Sequence, residues 1–245
     1  MFRRTFLAGA ISAPSVALGF GESNRFHVAE LDLGAGTVQR PGAWKRLQYE
    51  VAAATSIDTA PLPVVLRPDD LSLFDHPFAS LIVTGNFVLP ETRVLELLGR
   101  YLSYGGFLVL DDASGVSDGP ALASIRTLCA SVLPGRTLTR MPADHSVFRS
   151  FFLLNTPTGR FARHGYLDGV TVGDVSPIVV HHDDLSGALD RGSDGRDSYA
   201  VVPGGERQRN EAIKLALNLV VYSVTADYKK DQTHVRQLLL EGRIE

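Results

Sequence analysis

The sequence is poor in the residues that staple a chain or ligate soft metals. One cysteine, Cys129, stands among 245 residues, which excludes an internal disulfide and any multi-cysteine metal centre. Basic residues are not in excess. The 24 Lys and Arg face 27 Asp and Glu, for a net charge of −3, which argues against a nucleic-acid-binding surface. Beyond the N-terminal segment no apolar run approaches the ~20 residues of a membrane span. Nucleotide motifs are incomplete as well. Gly34-Ala35-Gly36 follows a strand-like segment, but Gln39 stands where the dinucleotide fingerprint needs its third glycine, and no Gly-Lys-Ser/Thr occurs. What is present is an ordinary globular balance, 44% apolar and 21% charged, of a length that suits one domain.

The first residues read as an address. Met1-Phe2-Arg3-Arg4-Thr5-Phe6-Leu7 is followed by an uncharged small-residue stretch to Phe20, the shape of a secretory signal. The paired arginines before Phe6-Leu7 resemble a twin-arginine signal. Ala17 and Gly19 place small side chains for cleavage after Gly19, with Gly21 as the alternative. The expectation is a signal peptide over residues 1–21 and a periplasmic location by the twin-arginine route. That route carries folded proteins, which suits a disulfide-free chain entering an oxidising compartment.

The remainder alternates strands and helices. Phe26–Leu33, Leu62–Leu66, Leu81–Val83 and Phe107–Leu110 read as strands. Trp44–Thr55, a segment opened by Pro90 and stopped by Gly105-Gly106, and Ala121–Val132 read as helices. Arg136–Met141, Tyr166–Val172 and Ile178–His182 look like further strands. Residues 186–205, rich in Gly, Asp and Ser, read as a mobile surface loop, and Glu206–Thr225 as a long buried helix. Uninterrupted apolar strands imply a sheet covered on both faces. The fold class expected is α/β, a single domain with a doubly wound, mostly parallel sheet.

In such sheets ligands bind outside the carboxyl ends of the strands. That rule selects Asp69 and Asp70, Gly85 and Asn86 as ligand-binding candidates. It also selects Asp111, Asp112 and Ser114, and the run His181-His182-Asp183-Asp184. Two acids at a buried strand end need partners or a cation. Strand neighbours point to opposite faces, so Asp111 and Asp112 do different jobs. Either one acts as a base or hard-metal ligand together with Ser114, or one caps the next helix or accepts loop amides. The pleat puts His182 and Asp184 on one side. They are the metal-ligand pair to test for a divalent ion, with His145 or Asp112 as a third donor. A Ser114, His145 and acid arrangement is the hydrolytic alternative, although no Gly-x-Ser-x-Gly elbow is expected and Ser114 sits in Asp-Ala-Ser-Gly-Val. The polar segment Tyr228–His234 reads as a C-terminal strap or a partner surface.

An ordered set of short motifs then carries a family resemblance. It runs through Phe26–Leu33, Pro41-Gly42-Ala43-Trp44, Arg67-Pro68-Asp69-Asp70, His76-Pro77-Phe78, Tyr101–Asp112, Ala143-Asp144-His145 and Asp184-Leu185-Ser186-Gly187. It closes with Asn218-Leu219 and Tyr228–Val235. Over residues 25–240 the chain resembles the bacterial domain of unknown function 4159. The resemblance implies a class I glutamine amidotransferase-like or ThuA-like fold, a flavodoxin-like three-layer sandwich. Amidotransferases of this fold place a cysteine on the turn after a central strand. The matching turn here, after Phe107–Leu110, reads Asp111-Asp112-Ala113-Ser114-Gly115, so amidotransfer is excluded. Two functions remain. One is an exported, cofactor-free domain that binds a small molecule or an envelope protein. The other is a hydrolase-type enzyme using Asp111 or Asp112 with a histidine, with or without a divalent metal.

Overall fold

The computed structural model describes residues 25–225. Residues 1–21, expected as a signal peptide, and Tyr228–Val235 lie outside the described residues. The strands are β1 (Val28–Leu31), β2 (Thr37–Val38), β3 (Val64–Leu66), β4 (Phe78–Val83), β5 (Phe107–Asp112), β6 (Leu138–Arg140), β7 (Asp168–Val172) and β8 (Val175–His181). The helices are α1 (Pro41–Ala54), α2 (Thr92–Ser103), α3 (Pro120–Val132), α4 (Leu185–Leu189) and α5 (Gly205–Thr225). They build one α/β domain on a mixed, mostly parallel sheet of eight strands. Its order is β3-β1-β4-β5-β8-β7-β6, and β2 pairs with β4. From β3 to β8 all neighbours are parallel, while β7, β6 and β2 run antiparallel to theirs. The chain leaves β1 for β3 at one edge, then crosses back to β4. The topological switch therefore lies between β1 and β4.

The apolar strand runs explain the layering. Every residue of β4 and β5 is buried, as continuous strands covered on both faces must be. Phe78, Ile82, Phe107, Val109 and Val179 face α1, α4 and α5. Ala79, Leu81, Leu108, Leu110 and Val180 face α2 and α3. Pro41 opens α1, where its fixed φ and missing N–H cost nothing. Trp44, Leu47 and Val51 then repeat along the buried side. Burying each such side chain contributes about 1.5–3 kcal/mol. Among the described residues no helix is long and apolar enough to cross a membrane.

Two local expectations change. Asp111 and Asp112 belong to β5 itself, not to the turn after it. The segment after residue 185 is not all surface loop, because its first residues form α4 and are wholly buried. The local N-cap, Asp184, accepts the Gly187 amide, and Asp111, on a central strand, receives the Leu185 and Ser186 amides before it.

Candidate functional site

Strand pleating sends the two acids of β5 to opposite faces, and each finds a different structural task. The Asp111 carboxylate accepts hydrogen bonds from the Leu185 amide at 2.8 Å and the Ser186 amide at 2.7 Å. The His181 ring Nδ1 lies 3.5 Å away. Burial pushes the Asp111 carboxyl up, but His181 and the Ser186 donors outweigh it and hold it below its ordinary value. On the other face, Asp112 Oδ1 accepts from the Ser114 amide at 3.0 Å and from the Ser114 hydroxyl at 2.6 Å. The Ser114 hydroxyl thus donates to the Asp112 carboxylate, and no histidine is among its hydrogen-bond partners within the described residues. The spelling Gly-x-Ser-x-Gly does occur next to it, at Gly115–Gly119, and escapes a reading centred on Ser114. Ser117 is nevertheless exposed in a turn beyond the end of β5. The left-handed residues there are Gly115, at φ 73°, and Asp118, at φ 53°, and not Ser117. The segment is not a strand-to-helix elbow.

A strained, buried position lies between β8 and α4. Asp184 is fully buried in the left-handed region, at φ 57° and ψ 64°, a conformation that costs of order 1–3 kcal/mol and needs support around it. The support is ionic. Its Oδ1 receives Arg40 Nη1 and the Gly187 amide at 2.9 Å. Its Oδ2 receives Arg160 Nη1 at 3.2 Å. Arg40 also donates to Ser186 Oγ at 2.9 Å. The Tyr199 ring lies 4.8 Å from the Arg40 guanidinium and 4.7 Å from that of Arg160. Burial, and then the neighbouring Asp111, push the Asp184 carboxyl up against the pull of Arg40. Gly159 closes over this turn. A Cβ at that position would overlap the Asp183 carbonyl and Cε1 of His181.

The alternation along His181–Asp184 breaks at this turn. His182 Nε2 meets Asp168 Oδ2 at 3.1 Å, while Asp184 turns to Arg40 and Arg160. The expected metal pair is therefore not brought together. Among the described residues no group of three His, Cys, Asp or Glu side chains gathers as a metal site. His145 stands at the opposite end of the sheet from Ser114. Its Nδ1 accepts the Val147 amide at 3.2 Å, its Nε2 lies 3.3 Å from Ser176 Oγ, and its ring packs on Tyr222. Burial, only partly opposed by Asp144, pushes the His145 ring down from its ordinary value.

The residues that sequence reasoning missed come from the irregular segment before β7. The Asp183 carboxylate accepts from the Arg163 amide at 2.9 Å and the His164 amide at 2.8 Å. His164 Nδ1 lies 3.0 Å from Asp183 Oδ1. Burial pushes the Asp183 carboxyl up, yet the His164 hydrogen bonds prevail and hold it below its usual range. Arg163 Nη1 donates to the Gly115 carbonyl at 2.6 Å, tying this segment to the loop of Ser114. The His164 and His182 rings sit 5.3 Å apart. The only sequence signal was the cluster Arg160-Phe161-Ala162-Arg163-His164, which has no period to locate it.

At the switch point, the carboxyl ends of β1 and β3 and the segment after β4 open on a cleft of about 610 Å³. Asp32, Gly34, Arg67, Asp69, Val88 and Glu91 are among its lining residues. Asp69 is there, paired with Arg67 at 3.1 Å, and this hydrogen bond holds its carboxyl below the ordinary value. The other expected ligand groups do not reach the cleft. Asp70 caps the short helical turn after it by accepting the Ser72 amide at 2.8 Å. Gly85 donates to the Gly36 carbonyl at 3.3 Å, and Asn86 accepts from Ser124. The fold-back of residues 34–38 onto β4 engages Gly85, while Asn86 is held by Ser124 of α3.

A family model described as Domain of unknown function (DUF4159) matches residues 27–224. The chain belongs to this family. The match spans every element from β1 to α5, so the DUF4159 region takes in the cleft, the ion network at Asp184 and the Asp183–His164 pair together. No curated protein matches the chain.

Proposed function

We propose that this DUF4159 protein is an exported, periplasmic ligand-binding domain on a flavodoxin-like, class I amidotransferase-like scaffold, without amidotransferase chemistry. The parallel strands in sheet order are second, first, third, fourth and fifth along the chain, the order of flavodoxin-like sheets. The observation that carries the binding reading is how the carboxyl-end acids are used. Asp111 and Asp112 are spent on amides and a hydroxyl of their own chain, while the switch-point cleft stays open. Asp32, Asp69 and Glu91 outnumber Arg67 in its lining, which favours small polar ligands rich in amino or hydroxyl groups. No cofactor enters this reading, and the export step rests on Arg3-Arg4.

The test is a thermal-shift screen of the full chain against small cationic and polyhydroxylated compounds, repeated on Asp69→Asn and Glu91→Gln. A ligand at about 100 times its Kd should stabilise by about 2.7 kcal/mol, and both variants should lose the shift. A screen without hits, or hits that ignore both substitutions, overturns the assignment. Replacing Arg3 and Arg4 by lysine should keep the protein in the cytoplasm.

A hydrolase-type reading has one observation in its favour, the Asp183–His164 pair. Asp183 orients the His164 ring through Nδ1, and Nε2 has no hydrogen-bond partner among the described residues. That is the arrangement of a general base. Hydrolysis of simple esters by the purified chain, abolished in His164→Ala, would favour it over binding alone.

A further inference from the structure

A second cavity lies at the other end of the sheet. It measures about 500 Å³ and opens among the C-terminal parts of α2 and α3, the starts of β5 and β8, and Tyr222 of α5. Its volume is within the range of small-molecule sites. Leu102, Phe107, Val132, Leu133, Val175 and Pro177 give it apolar walls. Gly99 lets α2 approach α3 behind it, since a Cβ there would press on the Val132 carbonyl.

The charged residues of this lining are Glu96, Arg100 and Arg136. None of the three side chains forms an ion pair or hydrogen bond among the described residues. The arginines at the carboxyl end differ: Arg40 and Arg160 are committed to Asp184, and Arg163 to Asp183 and the Gly115 carbonyl. An apolar chamber bounded by two uncommitted guanidinium groups and one carboxylate has a net positive rim. A guanidinium presents paired donors that match a carboxylate. We propose that this chamber binds a free amphiphilic acid, a molecule with an apolar alkyl body and one terminal carboxylate. The body would lie against Phe107, Val132 and Val175, with the carboxylate between Arg100 and Arg136. This site is separate from the switch-point cleft and takes ligands of opposite charge preference.

The experiment is calorimetric titration of the full chain with dodecanoate below its micelle concentration, with dodecylammonium as the reversed-charge control. Saturable binding of about one dodecanoate per chain is expected, with no saturable binding of dodecylammonium. The double variant Arg100→Gln and Arg136→Gln should weaken binding at least tenfold. Ser131→Trp, at the partly exposed rim, should block entry while leaving the unfolding midpoint unchanged. Absence of saturable dodecanoate binding overturns the proposal. So does equal binding of dodecylammonium, or dodecanoate binding that survives both sets of substitutions. A chain that elutes as a dimer and binds no dodecanoate would overturn it too, giving this face to a second copy.

Discussion

Glu30 offers the sharpest test of how this fold handles buried charge. It is fully buried in the middle of β1. Its Oε1 accepts from the Arg40 amide and from the Trp44 indole at 3.1 Å, whereas Oε2 is buried with no hydrogen-bond partner among the described residues. Burial is the dominant effect and Asp190 adds to it, so the carboxyl rises from 4.5 to about 7 despite the Arg40 and Trp44 donors. The direction of the pH effect follows. Below 4.5 the folded and unfolded chains both hold the proton. Between 4.5 and about 7 only the folded chain keeps it, so stability falls as pH rises through that window. At 1.36 kcal/mol per unit the loss totals about 3 kcal/mol. Glu30→Gln keeps an acceptor for both donors and mimics the protonated acid. Its stability relative to the parent should therefore climb by about 3 kcal/mol from about pH 4.5 to about pH 8. Urea unfolding followed by fluorescence reads this directly, because Trp44 is the only tryptophan and bonds to Glu30 itself. A stability difference that stays flat across the window, or shrinks as pH rises, would refute the account.

Other substitutions probe the turn between β8 and α4. Asp184→Asn retains a residue that tolerates positive φ but leaves Arg40 and Arg160 without their carboxylate, and should cost about 3–5 kcal/mol in urea unfolding; parent-like stability would show that the ion network contributes little. Gly159→Ala drives a Cβ into the Asp183 carbonyl and should cost about 1–3 kcal/mol, read as a lower melting temperature. Asp112→Asn keeps an oxygen for the Ser114 donors and should stay within about 1 kcal/mol of the parent; loss of the fold would mean that the charge itself is needed there.

Much of the sheet was legible because its signals are local. The continuous apolar runs of β4 and β5 announce strands covered on both faces, and Pro41 with Trp44, Leu47 and Val51 announces α1. The pleat rule also separated Asp111 from Asp112 correctly. What escaped depends on contacts between distant segments. Glu30 sits in an alternating strand where the pattern assigns acids to water, yet α1 covers it. Residues 186–189 read as loop because two of the first amides of α4 are received by Asp111 on another strand, and the local cap, Asp184, takes a left-handed conformation. His164 and Arg160 come from a segment with neither helical nor strand period, so nothing in the sequence brings them to Asp183 and Asp184.

These misses share a physical origin. Asp111 and Asp184 lie close enough that each raises the cost of charging the other, and Arg40 answers both. Arg40 also positions Glu30 through its backbone amide, so β1, the start of α1, the end of β5 and the β8–α4 turn share one charge network. Removing one member of such a network leaves its partners buried and unpaired, which is far costlier than the net worth of any single pair. Asp111 is bound into the architecture by that penalty, and the binding and chemistry proposed for this chain fall on groups outside the network: the switch-point cleft, His164, and the arginines at the opposite end of the sheet.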